Sequence, residues 1–587
     1  MRHVKRSIRL LAAVLAVCVL SCACSRVIRL DPLERAVHQD IDFVDLEYVR
    51  PDLDALDAKI DEALDATEEG EALAALTLYN EILHAINELD TMSSVASIRY
   101  DQDLTNEFYE EEDLLLSENY TRIDNRMNEL TGAILDSEFG KAARAYWGED
   151  FVERYEINSK LNSTEIEELS KREDELVSAY QKASAEEFTT ERDGVVYTMD
   201  DLTFDSDETY DLNFELYCEI LEKRNAVLGQ YYIELVDVRM QIAEKLGYDS
   251  YTDYAYDCLG RDFTKEDAAE FCKDVEDWLS YQNVSIWLIG EVYSELFKPV
   301  SADLAFDSVP LEDGFDYLEE ALRAEDFPDT MLEALEYMQN NRLYDFGGGA
   351  NRMAAGYSTE LAQYDAPFMF INTDYYTDPS TLFHEFGHYH NFYCEEEMIW
   401  NDGVSLDLAE VHSQGLELLM FSTYEEMYGD DAEWIEYDQL LNILYAVLSG
   451  CAEDAFQQAV FENPDMTLDE MNELHGELME RFLGYNDPSS YYSWVEIHHH
   501  FETPFYYISY ATSAISALEL WSVSLEDREK AVEMYSELTQ YCANANYRET
   551  LKAVGLSDPF KSHCVENVGD ALIEELDIRN ALRALWG

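Results

Sequence analysis

Apolar side chains recur at helical spacing along most of this chain. Between Pro51 and about Asp90 they fall three or four positions apart, which is the pattern of a helix with one buried face. The same period predicts further helices over residues 114–135, 141–155, 166–182, 210–245, 265–297, 311–344, 410–428, 434–462, 468–482 and 505–520, with more helices from residue 525. The pattern therefore predicts a mostly α-helical protein.

Two short segments break the helical pattern. Residues 191–199, which read E-R-D-G-V-V-Y-T-M, predict a small hairpin. We place it at the boundary between an N-terminal helical lobe, residues 25–200, and a larger second lobe, residues 201–587. Residues 366–372 form an apolar run that predicts a short strand. The glycines at 347–349 and 356 predict a loop region before that strand.

The first 24 residues have the pattern of an export signal. A basic stretch, residues 1–9, precedes an apolar stretch from Leu10 to Leu20 that is too short to span a bilayer. The following Ser21-Cys22 resembles a bacterial lipobox, and we predict lipidation at Cys22, with Cys24 as the alternative. The mature protein is then expected outside the cytoplasm, lipid-anchored to the cytoplasmic membrane, or secreted if the signal is cleaved without lipidation.

Composition excludes several classes of partner and scaffold. The formal net charge is −86, from 125 acidic and 39 basic side chains, so nucleic acid is not an expected partner. Such a negative field should attract basic peptides and repel acidic ones. Three of the ten cysteines lie in the signal segment, and the other seven are widely spaced without a C-x-x-C pair. The chain is therefore not a disulfide scaffold.

Residues 384–388 read H-E-x-x-H, the zinc-binding helix of many metallopeptidases. On a helix from about Pro379 to Tyr393, His384 and His388 lie on one face and can bind one metal ion. The intervening Glu385 can take a proton from a zinc-bound water as it attacks a carbonyl. Asp378 precedes the proline and suits the helix N-cap. The motif predicts one Zn²⁺ per chain.

A third metal ligand is expected from a later acidic residue. The acidic cluster at residues 395–397 follows the first helix too closely to fold back over its histidines. Glu410 lies in an apolar, helix-compatible run after a turn, and we select it. Glu417, seven residues further, falls on the same helical face and either supports the site from behind the ligands or lies on the helix surface.

Three blocks of this sequence, residues 346–393, 406–418 and 498–514, resemble the zinc oligopeptidases of the oligoendopeptidase F and thimet oligopeptidase family. They contain T-L-F-H-E-F-G-H at residues 381–388, L-A-E-V-H-S at residues 408–413, and the late segment from His500 to Thr512. The resemblance implies Glu410 as the third zinc ligand and Glu385 as the general base. It also implies a two-lobed helical body with a deep substrate channel and a small sheet beside the zinc helix. The strand at 366–372 would be an edge to which an extended peptide can pair.

The late segment adds residues that would act on the substrate. A His and a Tyr ten residues apart, with another Tyr three before the last, also occur in the angiotensin-converting-enzyme family. By resemblance, His500 and Tyr510 would stabilise the oxyanion, and Tyr507 would contact the substrate backbone. We assign no role to His390, His498 or His499. His38, His84, His475 and His563 have the character of ordinary surface or boundary histidines.

These features predict a zinc endopeptidase that hydrolyses short peptides outside the cytoplasmic membrane. A peptidyl-dipeptidase or carboxypeptidase on the same scaffold is the nearest alternative, although no motif supplies a cation for the substrate's free carboxylate. A non-catalytic peptide-binding surface lipoprotein is a different class. It has no need of Glu385, His500 and Tyr510. A non-peptidase zinc hydrolase is a further alternative.

Overall fold

The structure of the protein, a computed structural model, describes residues 38–161, 165–204, 207–282, 309–394, 405–485, 487–541, 545–561 and 563–576. Over these residues the protein is mostly α-helical with two small sheets, so the predicted fold class is confirmed. None of the helices in these ranges is long and apolar enough to cross a membrane. The predicted lipid site at Cys22 lies outside the described residues.

The described helices and strands are, in chain order, α1 (Leu53–Glu68), α2 (Ala72–Gln102), α3 (Glu107–Asp136), α4 (Gly140–Trp147), α5 (Glu149–Leu161), α6 (Glu167–Ser184), β1 (Thr190–Arg192), β2 (Val195–Tyr197), α7 (Asp207–Leu246), α8 (Tyr251–Cys258), α9 (Lys265–Gln282), α10 (Gly314–Ala324), α11 (Asp329–Asn340), β3 (Tyr344–Gly347), β4 (Gly356–Leu361), β5 (Ala366–Asn372), α12 (Pro379–Cys394), α13 (Leu406–Leu419), α14 (Tyr424–Tyr428), α15 (Ala432–Glu462), α16 (Leu468–Leu483), α17 (His498–Glu502), α18 (Ile508–Glu526), α19 (Arg528–Leu538), α20 (Tyr547–Val554) and α21 (Cys564–Glu575).

Two predicted helices end earlier than their apolar period suggests. The helix predicted over residues 311–344 is divided into α10 and α11, and the chain leaves α11 through Arg342, whose φ of +49° is incompatible with a right-handed helix. Residues 410–428 are likewise divided by a 3₁₀ turn at Met420–Thr423. The predicted extension of α9 beyond residue 282 lies outside the described residues. Helical periodicity locates these elements but not the turns between them.

The predicted hairpin and strand are both present. β1 pairs antiparallel with β2. β5, predicted as an edge strand, is instead the central strand of a three-stranded sheet, parallel to β3 on one side and antiparallel to β4 on the other. All seven residues of β5 are buried, whereas an edge strand typically alternates between buried and solvated positions. The expectation that a peptide pairs with residues 366–372 is therefore wrong, because both edges of this strand are occupied.

Backbone contacts divide the chain into two compact units. The first comprises the described parts of Met1–Asn162, Pro328–Thr377 and His388–Asp402. Its helices α1 to α4 share a core of buried aliphatic side chains, and the sheet packs on α2. Polar contacts join them: Ser94 Oγ donates to the carbonyl of Glu360 at 3.0 Å, and the Tyr357 hydroxyl donates to Asp101 at 2.6 Å.

The second unit comprises the described parts of Ser163–Phe327, Asp378–Gly387 and Gly403–Gly587. α18 lies at its centre and packs against α13 and α15. Gly450 permits a close approach, because a Cβ there would be 2.7 Å from the Cβ of Ala511. This division differs from the predicted boundary at residue 200. The sequence-based boundary follows chain order, whereas the sheet residues return to pack on the N-terminal helices.

Candidate metal centre and its surroundings

The metal-binding helix begins where the sequence predicts. Asp378 Oδ1 accepts a hydrogen bond from the backbone N–H of Ser380 at 2.9 Å, and α12 starts at Pro379. Proline suits this position because the first helical N–H groups have no partner within the helix. The cap fixes the first turn of α12, and His384 lies about one and a half turns from its start.

The structure brings together the three residues predicted to bind the metal. Ligand atoms of His384, His388 and Glu410 all lie within 4.8 Å of one another, and no other such group of three occurs in the described ranges. His384 Nε2 is 3.5 Å from Glu410 Oε2. The acidic cluster at 395–397, the rejected source of a third ligand, lies outside the described residues.

Glu417 supports this cluster through a hydrogen bond with Nδ1 of His384, the ring nitrogen that faces away from Glu410. Its Oε2 lies 3.2 Å from His384 Nδ1, and its side chain is only 15% exposed. With Nδ1–H donating to this carboxylate, Nε2 is the nitrogen left to bind a metal ion, and it lies on the side of Glu410. Ser413 Oγ similarly donates to Glu410 Oε2 at 3.0 Å. Of the two readings of Glu417, the geometry favours support of the site over an ordinary surface position.

The close approach of α12 to α13 depends on Gly387. A Cβ at this position would lie 2.6 Å from the carbonyl oxygen of His412 and 2.6 Å from the Cα of Ser413. Both are backbone atoms, which cannot move aside as the end of a flexible side chain can. The glycine of H-E-x-x-H therefore lets the two ligand-bearing helices pack with their backbones nearly in contact.

The electrostatics of this cluster favour a cation. Burial alone would lower the pKa of His384, but the hydrogen bond to Glu417 and the charges of Glu410 and Glu385 raise it to about 10. Glu385 is itself only 6% exposed. The carboxylates of Glu385, Glu410 and Glu417 surround the His384 ring and make the potential at this site negative. The cluster of two histidines and one glutamate is also the ligand set of catalytic zinc sites, which keep one coordination position open for water or substrate. The residues present therefore fit a bound divalent metal ion.

His500 is anchored in the interior by a glutamate. Its ring is fully buried, and its Nε2 is 2.9 Å from Glu453 Oε2. The other ring nitrogen, Nδ1, is buried without a hydrogen-bond partner among the described residues, and the oxyanion role of His500 stays a prediction. The backbone of the same segment is held by Arg239, which donates to the carbonyls of His500, at 2.9 Å, and Phe501.

Glu453 is the centre of a buried network that the sequence did not reveal. His475 Nε2 lies 3.0 Å from the other carboxylate oxygen, and its Nδ1 faces the carbonyl of Ser490. The prediction that His475 is a surface or boundary histidine is wrong, since it is only 1% exposed. Burial would raise the pKa of Glu453, but His475 and His500 together lower it to about 2. An acidic residue on the apolar face of α15 is the sequence signal that could have found this network.

Three tyrosines of the late segment form a half-buried cluster. The rings of Tyr506 and Tyr510 lie 5.2 Å apart, and those of Tyr507 and Tyr510 lie 5.3 Å apart. Burial raises the pKa of each phenol, and the charge of Glu410 contributes for Tyr506 and Tyr510. Tyr507 and Tyr510, which the sequence predicted as substrate-contacting residues, therefore lie in one cluster with Tyr506, to which the sequence assigned no role.

His390, to which the sequence assigns no role, is a buried histidine. Its Nε2 lies 3.1 Å from Thr330 Oγ1 and 3.2 Å from Cys394 Sγ. Burial lowers its pKa to about 3, so the ring is neutral. A neutral ring is consistent with a packing role.

With this geometry established, comparisons with known proteins define the class. Residues 43–162 match the peptidase M3 N-terminal domain, and residues 340–569 match peptidase family M3. The helical fold and the His-His-Glu cluster are those of a metallopeptidase. Because the two matches together span more than half of the chain, this protein belongs to peptidase family M3.

Solved structures resemble the chain over nearly its whole length. A protein assigned as an oligoendopeptidase F is 26% identical, with a TM-score of 0.72 over 92% of this chain and 99% of its own. PZ peptidase A, solved with an inhibitor, is 24% identical, with a TM-score of 0.73 over 91% and 99%. A protein assigned as oligoendopeptidase F of Bacillus anthracis str. Ames is 23% identical, with a TM-score of 0.70 over 92% and 99%. The latter two support the fold alone. None of the curated proteins compared with the chain matches it.

Proposed function

We propose that this metallopeptidase is a zinc-dependent endopeptidase that hydrolyses short peptides outside the cytoplasmic membrane. The observation that carries the proposal is the convergence of His384, His388 and Glu410, with Glu385 on the adjacent position of the same helix. These three side chains would hold the zinc ion. When bound, zinc supplies Lewis acidity, which lowers the pKa of water and polarises a carbonyl.

The remaining chemistry is assigned to side chains of this chain. A Glu385 carboxylate oxygen takes the proton of the attacking water and later delivers it to the nitrogen of the leaving amine. The Tyr510 hydroxyl, whose raised pKa keeps it protonated, donates to the carbonyl oxygen on which charge develops. Tyr507 contacts the substrate backbone. Glu417 holds the tautomer of His384 throughout.

The substrate class follows from charge and from the relatives. The solved structures that the chain resembles include a protein assigned as an oligoendopeptidase F, and we extend internal cleavage of short peptides to this chain. The net charge of −86 favours peptides with basic residues.

Loss of the proton-transfer group tests the proposal. Wild type and Glu385→Gln, each with its zinc content measured, are incubated with a mixed-length peptide library, and products are read by mass spectrometry. We expect internal cuts by wild type and a loss of about 10²–10⁴-fold in the variant, because the amide cannot accept the proton. The control is Glu425→Gln, an exposed glutamate of α14.

Other outcomes would replace the proposal. Cuts confined to the last one or two residues would indicate a carboxypeptidase or a peptidyl-dipeptidase. No cuts by a protein that carries one zinc ion would favour a peptide-binding lipoprotein.

The proposed location has its own test. Cells producing the full chain are fed labelled palmitate, alongside Cys22→Ala and Cys24→Ala. Label lost only in Cys22→Ala supports the anchor at Cys22. Label lost only in Cys24→Ala moves the anchor to that residue, and an unlabelled wild type recovered from the medium indicates a secreted protein.

A further inference from the structure

A cavity of about 390 Å³ lies where α2 and α3 meet β4, an outer strand of the three-stranded sheet. All of its lining residues belong to the first compact unit. They comprise five serine and threonine hydroxyls, two phenols, the carboxyl group of Asp113 and one aliphatic side chain, Ile98. Ser117 and Tyr120 are exposed, so the cavity is open to solvent. Its volume is that of a site for a small molecule.

Each of the two helices carries a row of polar side chains along this cavity. Residues three or four positions apart share one face of a helix. The row on α2 consists of Asp90, Ser94, Ser97 and Asp101, and the row on α3 consists of Asp113, Ser117, Tyr120 and Asp124. Only four residues join the two packed helices, which makes them antiparallel, so the end of the first row meets the start of the second. The rows therefore lie opposite each other, with a pair of aspartates at either end.

Asp101 and Asp113 form the pair at one end. Asp113 is hydrogen-bonded to Ser97 on the opposite row, and the Tyr357 hydroxyl of β4 donates to Asp101 at 2.6 Å. Burial raises the pKa of both carboxyl groups, and the charge of Asp101 further raises that of Asp113. The two carboxylates are therefore close enough to repel each other.

Asp90 and Asp124 form the pair at the other end. The charges of both raise the pKa of Tyr120, after the larger effect of burial, which locates both carboxylates near this phenol. Burial also raises the pKa of Asp90 to about 7. Its Oδ1 is buried and has no hydrogen-bond partner among the described residues. This end therefore presents an acceptor that no described residue uses.

The protein supplies little positive charge to balance these rows. None of the described residues that line the cavity is a lysine, an arginine or a histidine. Arg352 lowers the pKa of Asp101, but its guanidinium already donates to Asp345 at 3.0 Å. A partly buried carboxylate without a counter-ion is destabilising, and a bound cation offsets that cost. A positively charged ligand therefore fits the cavity better than a neutral polyol does.

The spacing of the acidic pairs selects the kind of cation. Asp90 and Asp101 are eleven residues apart on α2, which corresponds to about 16 Å at 1.5 Å per residue. Within the described ranges, the metal centre is the one place where three histidine, cysteine or carboxylate ligands converge, so the cavity does not match a single metal ion. Two positive charges at the ends of a linear molecule match the two pairs. The hydroxyl oxygens between them can accept hydrogen bonds from further ammonium groups.

We propose that this cavity binds a linear polyamine through the acidic pairs at its two ends. The terminal ammonium groups contact one pair each, and the methylene groups between them pack on Ile98 and the Tyr120 ring. The inference does not depend on the proposed peptidase function. Lysine side chains of an extended peptide carry the same ammonium groups, and the experiment separates these two sources.

Calorimetry of the full chain with spermine tests the proposal. We expect one molecule to bind per chain at 0.15 M ionic strength, where a screening length of about 8 Å weakens diffuse attraction to the net charge. Asp113→Asn and Asp124→Asn each remove one charge from one pair. Each should weaken binding about 10–100-fold, the effect of a lost hydrogen bond to a charged group. Tm should not fall in either variant, because the amide keeps the shape of the side chain and removes a repelled charge.

Glu111→Gln is the matched control. It removes the same charge from α3, but this exposed residue is two positions from Asp113 and hence on another side of the helix. Its affinity for spermine should remain within about twofold of wild type. Putrescine, a shorter diamine that reaches one acidic pair at a time, should bind wild type at least about tenfold more weakly than spermine.

Four results would overturn the inference. They are no saturable binding of spermine by wild type, equal affinities of the Asp113→Asn, Asp124→Asn and Glu111→Gln variants, equal affinities of wild type for spermine and putrescine, and binding of the neutral polyol sorbitol as tight as that of spermine. Because no turnover is measured, these results are independent of the outcome of the peptidase test.

Competition identifies the source of the ammonium groups. The peptide Lys-Ala-Ala-Ala-Lys is added to the spermine complex of Glu385→Gln, so that an active enzyme does not consume it. Displacement of spermine shows that the cavity also takes lysine side chains of peptides, and no displacement restricts it to free polyamines. Both results retain the ammonium site.

Discussion

His384 is the residue on which the polar contacts of the metal centre converge. Its two ring nitrogens face different glutamates, Glu410 at 3.5 Å and Glu417 at 3.2 Å. The first is a proposed ligand, and the second fixes the tautomer that leaves Nε2 available. The metal affinity of the site therefore depends on Glu417, although this residue is not itself a proposed ligand.

Substitution of Glu417 should weaken metal binding without unfolding the protein. In Glu417→Gln the amide can rotate to present its N–H₂ group to Nδ1 of His384, which favours the wrong tautomer. We expect zinc affinity to fall about 10–100-fold, measured by competition with a chromophoric chelator. Glu425→Gln is the matched control. Equal affinities of the two variants would contradict the supporting role.

At the residue scale the sequence predicted the grouping of the ligands but not the burial of His500 against Glu453. The three ligands His384, His388 and Glu410 were predicted from helical spacing and from a sequence motif. Each of these two signals is contained in a short stretch of chain. The orientation of His500 depends on Glu453, which is 47 residues away in sequence. No local pattern reports which side of a five-residue helix is turned towards a distant carboxylate.

At the element scale, α12 and α13 form the metal centre through close packing. The contact is at Gly387, where any side chain would meet the backbone of His412 and Ser413. The distance between the two ligand-bearing helices therefore depends on the absence of a Cβ at position 387.

Replacing this glycine should separate the two helices. Alanine would raise the intrinsic helix propensity of α12 by up to about 1 kcal/mol, yet Gly387→Ala must shift α13 to relieve contacts of 2.6 Å. We expect a loss of about 1–3 kcal/mol in the free energy of unfolding and weaker zinc binding, measured by denaturant melts and chelator competition.

The control lies on α13 itself. At Gly415 a Cβ would meet only side-chain atoms, at 3.3 Å or more. Gly415→Ala should therefore retain metal affinity. If Gly387→Ala binds zinc as wild type does, the spacing of the helices does not govern the site.

Helices were predictable because a buried face repeats along many residues, whereas two strands were missed. β4 has no alternation of buried and exposed residues to identify it, since five of its six residues are half-buried, and all four residues of β3 are half-buried. β5 was found, but its position in the sheet was not, although an unbroken apolar run is typical of a central strand.

At the scale of the whole molecule, the summed charge of the chain is a dominant feature. The net charge of −86 produces a long-range negative electrostatic field, which arises from all the charged residues together. Its reach depends on salt, because the screening length falls from about 30 Å at 0.01 M to about 8 Å at 0.15 M ionic strength.

Peptide selectivity should therefore depend on ionic strength. For a peptide rich in lysine and arginine, we expect kcat/KM to fall up to about tenfold between 0.01 M and 0.3 M salt, because steering is screened. An uncharged peptide of the same length should change little, and an acidic one should improve. Stopped-flow or initial-rate assays on the three peptides measure this directly. An equal decline for all three would indicate a general effect of salt on the enzyme.

The discontinuous path of the first unit has a consequence for synthesis. Its helical core lies within residues 56–143, but β4, which packs on α2, begins only at Gly356. At about 5–20 residues per second, the roughly 250 residues between them take on the order of 10–50 s to make. The α2 side chains that later bond the sheet region include Thr91, Ser94 and Asp101. Water can satisfy these polar groups until the sheet is made, so their hydrogen bonds can form late without leaving unpaired buried groups in the nascent helices.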